Sequence, residues 1–113
     1  MLKKAAGIFL CFTMFLSSCT SEKGEVAEPA CEASYKDEIL PIMQTSCTPG
    51  CHEPGGVAPG DFNDYDALKA KVTDGQLESR AVVNQNMPPP PGTLSSEEIE
   101  LIKCWINNGA ENN

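Results

Sequence analysis

The sequence predicts an all-α domain, a small bundle of three to four short helices. Three observations predict it. Apolar residues recur at helical spacing in at least three segments. Two of those segments begin with helix-capping patterns. No stretch shows the alternation of a strand, and no internal repeat is present.

The chain has 113 residues, enough for one small domain. Sixteen acidic residues against eight basic ones give a formal net charge of −8. That excess argues against a nucleic-acid partner, which needs a basic face for phosphates. It also argues against electrostatic docking on anionic lipid.

The start of the chain reads as an export signal rather than fold. Lys3 and Lys4 form a basic region, and residues 5–16 an apolar run interrupted only by Thr13. A spanning helix needs roughly 20 apolar residues, so this run is too short. Leu16-Ser17-Ser18-Cys19 follows and resembles a bacterial lipobox. The resemblance implies a signal peptide over 1–18 and a lipid on Cys19, which anchors the protein in the cell envelope. The domain then faces the periplasm or the cell surface. The plain alternative is a secretory signal cut nearby.

From Cys19 onward 95 residues remain, and loss of Lys3 and Lys4 takes the net charge from −8 to −10. Leu, Ile, Val and Phe number 16 of those 95. A share below about 20% with high net charge belongs to disordered chains. Disulfides, a metal or a large apolar cofactor must therefore supplement the core. Residues 19–33 are polar and acidic and read as a flexible tether, spanning about 20 Å root-mean-square at ~5–6 Å × √n. The domain proper is expected over 34–113.

Ser34 with Asp37 resembles a capping box, and Ile39, Leu40, Ile42 and Met43 form an apolar stripe. The first helix is expected over 35–46, with Pro41 kinking it or shifting its start. Residues 47–60, rich in Pro and Gly, read as loop. Tyr65, Leu68 and Val72 place a second helix over 64–73, capped by Asn63 or Asp64. A short third helix is expected over 77–83. Pro88 to Pro91 exclude helix interior from 84–92. The last helix has Ser95 as N-cap, Glu98 completing a capping box, and Leu94 with Ile99 as a hydrophobic staple. Ile99, Leu101, Ile102, Trp105 and Ile106 form its apolar face, and Gly109 sits where a C-cap glycine belongs.

The chemistry concentrates in Cys47-Thr48-Pro49-Gly50-Cys51-His52. In c-type haem attachment two thiols add to the vinyl groups and the adjacent His binds iron, usually with two residues between the cysteines. Here three intervene. Thr48-Pro49-Gly50-Cys51 is a type II turn signature, which draws the cysteines together. A redox-active disulfide, a zinc site or a plain structural disulfide are the competing readings. His52 is the single histidine of the chain. Met43 lies on the stripe of the first helix and reads as core. Met87 precedes four prolines, which stiffen the segment and suit it to hold a thioether against iron.

These segments, together with Ile39-Leu40-Pro41-Ile42 and Trp105-Ile106-Asn107-Asn108-Gly109-Ala110, resemble the small class I c-type cytochromes, in particular bacterial lipoprotein cytochromes with a three-residue spacer. The resemblance covers about 35–110. It implies a helical bundle around one covalent haem c, with thioethers on Cys47 and Cys51. His52 and Met87 would be the axial iron ligands. It implies a monomeric, membrane-anchored electron carrier and no enzyme. Its transient redox partner would carry a basic patch. On that reading Cys11 leaves with the signal and Cys19 takes lipid. Cys31 and Cys104 remain, either paired as a disulfide or left as two buried thiols. The alternatives are a haem enzyme or sensor with an open iron site, if Met87 is not bound, and a non-haem, disulfide-bonded binding lipoprotein.

Overall fold

A computed structural model describes residues 30–113 of the chain. The signal peptide, the lipobox with Cys19 and most of the tether lie outside the described residues. The described part is a small all-α bundle of about four short helices. No helix in it is long and apolar enough to cross a membrane.

The first helix, α1, runs through three consecutive stretches, Tyr35–Ile39, Leu40–Ile42 and Met43–Cys47. Pro41 explains the subdivision. It has no N–H to give the helical ladder, and it sits at the start of the short middle stretch. The turns on either side widen to i→i+5 hydrogen bonds, as in Ile39 N–H to Ser34 O and Thr48 N–H to Met43 O. The widening also changes the cap. Ser34 Oγ accepts from Asp37 N–H at 3.3 Å, but Glu38 rather than Asp37 reaches back, to Ser34 N–H at 2.8 Å.

Helix α2 is Tyr65–Thr73, with Asp64 as N-cap accepting from Ala67 N–H. Helix α3 is Glu78–Val83 and follows Leu77 after a turn at Gly75. Helix α4 is Ser96–Asn107, and its capping box is complete in both directions. Its end is a Schellman motif. Gly109, at φ +93°, donates to Ile106 O, and Ala110 N–H donates to Trp105 O at 2.8 Å.

The core lies where α1 and α4 pack, with α2 beside them. Ile39, Met43, Leu68, Ile102 and Trp105 are fully buried. Tyr35 stacks on Trp105 at 5.8 Å and meets Tyr65 edge-on at 5.1 Å. The C-terminal residues are stitched into this core. Trp105 Nε1 donates to Glu111 O, Tyr65 Oη to Ala110 O, and Lys36 N–H to Asn113 O. A disulfide joins Cys31 to Cys104, and Asn108 Nδ2 donates to Cys31 O at 2.7 Å. Ala33 is buried. The packed body therefore includes Cys31 and Ala33, which precede α1.

A candidate binding cleft and its thiol pair

The end of α1 runs directly into the turn that carries the two thiols. Cys51 N–H donates to Thr48 O at 3.0 Å, with Gly50 at φ +71° in the third position of the turn. That is a type II turn, whose third position favours glycine. Glu53 secures it by accepting from Gly50 N–H at 2.8 Å. His52 N–H donates back to Cys47 O at 3.1 Å, so the turn folds onto the helix end. The following loop straps over it, with Val57 N–H on Gly50 O and Ala58 N–H on Cys51 O, both at 3.2 Å.

His52 is fixed by two contacts. Its Nδ1 lies 2.8 Å from Pro59 O, and its ring stacks on Phe62 at 4.0 Å with planes 5° apart. A carbonyl only accepts, so Nδ1 is the protonated nitrogen. Phe62 is held in register because its N–H donates to His52 O at 2.9 Å.

Across from this turn stands the segment that contains Met87. It is tied to α3 by Asn86 and Met87 N–H groups, which both donate to Arg80 O. Between the two lies a cleft of about 520 Å³. Cys47, Cys51, His52 and Met87 all line it. Phe62, Leu77, Ala81, Pro88 and Pro89 supply apolar wall, and Lys71, Asp74 and Arg80 also reach it. Val57, at 89% exposed, belongs to the same lining.

The thiols of Cys47 and Cys51 are both free and half-buried. The Cys47 thiol is pushed up to about 11 from the ordinary 9.0, chiefly by burial, with the nearby Glu98 and Cys51 adding to it. At neutral pH it is protonated. Cys19 lies outside the described residues, and Cys31 and Cys104 sit away from the cleft in their own disulfide.

Among the described residues no group of three or more His, Cys, Asp or Glu side chains is placed to hold a metal ion. This finding overturns the haem c and iron expectation. With it go the resemblance to class I c-type cytochromes and the electron-carrier function. The physical reason is that a linear motif supplies donor types, whereas a metal-holding group needs donors converging from several parts of the fold. Cys47, Cys51 and His52 are not joined into such a group.

Comparison with known proteins adds no family: no protein-family model, no curated protein and no solved structure matches the chain.

Sequence reasoning did not single out Phe62, Leu77, Ala81 or Arg80 as site residues. The aromatic ring of Phe62 ten residues after His52 carried no motif. Leu77 and Ala81 read only as the apolar positions of a short helix.

Proposed function

We propose that this chain is a cell-envelope binding module, not an enzyme, which takes a largely apolar organic molecule into the cleft between the Cys47–His52 turn and the Met87 segment. One observation carries the reading: a mostly apolar cleft of about 520 Å³ opens among α1, α3 and the proline-rich segment. Small-molecule sites have volumes of ~300–1,000 Å³, apolar walls and a few placed polar groups. Here those polar groups are the two thiols, the oriented imidazole of His52 and the side chains of Lys71 and Arg80. The lipobox ending at Cys19 supports tethering by lipid, with the domain acting as a monomer outside the cytoplasm. The acidic chain supports neither nucleic-acid binding nor direct adhesion to anionic lipid.

The test uses Nile red as an apolar probe of the full chain. Saturable binding to one site is expected, weakened at least about tenfold by Ala58→Trp, which fills the cleft from a half-exposed position. Circular dichroism checks that the variant keeps its helices, and Met87→Trp is the second cleft-filling variant. Absence of saturable binding to the wild type overturns the proposal. So does intact-mass evidence that the chain leaves its native envelope with a porphyrin covalently fixed to Cys47 and Cys51.

A further inference from the structure

We propose that Cys47 and Cys51 form a second, reversible disulfide on the wall of the cleft, made by thiol–disulfide exchange with an incoming disulfide compound. The inference goes beyond ligand binding and does not depend on it. Four cysteines lie among the described residues, and Cys31 and Cys104 are already bonded to each other. The remaining two line one cleft, are both half-buried and are joined by a closed turn. A chain that carries the Cys31–Cys104 bond matures where disulfides form and persist. The same surroundings act on any second pair within reach of itself.

Reach is set by the turn. Three residues separate the two cysteines, and the type II turn over Thr48–Cys51 folds the chain back between them; a disulfide needs Cβ atoms about 3.5–4.5 Å apart. Gly50 lies between the thiols, and no atom within 4 Å would meet a Cβ built there. The carbonyl of Cys51 is tied to Ala58 N–H and that of Cys47 to His52 N–H. The two sulfurs carry no such tie to the backbone of the turn, and their side chains are the parts that rotate.

One cysteine, as thiolate, attacks a sulfur of the incoming disulfide, forms a mixed disulfide and expels one thiol. The second cysteine then attacks the protein sulfur of that mixed disulfide and expels the other thiol. Two protein thiols lose two electrons and two protons, and one disulfide becomes two thiols. The incoming compound is the oxidant, and excess reduced thiol reverses both steps.

Glutathione disulfide serves as the probe on the full chain, followed by alkylation and tryptic mapping. A single tryptic peptide carries both Cys47 and Cys51. In the wild type both should lose alkylation together, with the peptide lighter by two hydrogens and free of glutathione. Dithiothreitol should restore both sites. In Cys47→Ser the second step is blocked, so Cys51 should retain a glutathione. Cys51→Ser is the reciprocal variant should the first fail to fold by circular dichroism. Two thiols that stay alkylatable, or a wild-type peptide that keeps a glutathione on either cysteine, overturn the proposal. The readout is thiol state and not Nile red binding, so failure here is distinct from failure of the binding function.

Discussion

Among the described glycines, Gly56 is the one at which an added methyl group meets most resistance. A Cβ there would lie 2.0 Å from the carbonyl oxygen of Cys51 and 2.8 Å from its carbon. Both are backbone atoms, which cannot swing aside as a side-chain tip can. That carbonyl accepts from Ala58 N–H and so holds the loop over the thiol-bearing turn. Gly50 is a different case: its φ is +71°, but open space surrounds the position. An L-residue there meets only the backbone penalty of about 1–2 kcal/mol. Gly56→Ala should therefore destabilise the domain more than Gly50→Ala, by a cost of about 1–3 kcal/mol of overpacking, and should weaken probe binding in the cleft. Chemical denaturation of the two variants in parallel checks the order. Equal or reversed losses would show that the loop gives way at Gly56.

Helix α4 has a reciprocal capping box at its start and a Schellman motif at its end. Ser95 Oγ accepts from Glu98 N–H at 3.2 Å, and Glu98 Oε2 accepts from Ser95 N–H at 2.7 Å. The staple residue Leu94 is 9% exposed against a half-buried Ile99. These contacts fix where the helix starts, and thus where Ile102 and Trp105 enter the core. Ser95→Ala should cost about 1 kcal/mol, with a range of ~0.5–2. Thermal unfolding checks it, and Ser95→Asp, which restores an N-cap acceptor, should recover most of the loss. Helix α1 shows the opposite situation. Pro41 interrupts its ladder, and the widened turns around it leave Ile39 and Met43 fully buried. The proline is thus accommodated by a change of winding that keeps Ile39 and Met43 in the core.

The domain as a whole draws on three kinds of reinforcement for its lean apolar core. One is the aromatic group of Tyr35, Tyr65 and Trp105 at the crossing of α1, α2 and α4. Another is the stitching of Ala110, Glu111 and Asn113 to those same helices. The third is the Cys31–Cys104 bond, which closes a loop of 73 residues' separation. On the chain-entropy account a loop of that length is worth roughly 4 kcal/mol. Native domains have only about 5–15 kcal/mol of stability in total. Replacing both cysteines by serine should therefore lower the denaturation midpoint severely or leave the domain partly unfolded at 37 °C. Guanidinium unfolding of the double variant beside the wild type is the measurement. A midpoint within error of the wild type would show that the bond contributes little beyond the helical packing.

The amino-acid order alone determined the local features. The capping box at Ser95, the glycine C-cap at Gly109, the turn at Pro49-Gly50 and the break imposed by Pro41 depend on residues within one or two turns of one another. Their hydrogen bonds form in the segment itself. The boundaries of α2, α3 and α4 were legible for the same reason, and α1 was legible as a helix although its widened turns were not. Glu38 took the capping role expected of Asp37, because a widened turn moves the reciprocal position by one residue. Tertiary structure decided the rest. The ring of Phe62 under His52, the meeting of Leu77 and Ala81 with Met87 across one cleft, and the bond between Cys31 and Cys104 join residues that no local pattern relates. The metal expectation failed on the same distinction. The spacing of Cys47, Cys51 and His52 specifies donor types, but whether donors converge into a metal-holding group depends on what the remainder of the fold brings beside them. Contacts between distant segments form only when burial and closure of the entire chain outweigh the entropy of bringing them together, and that balance belongs to the assembled domain.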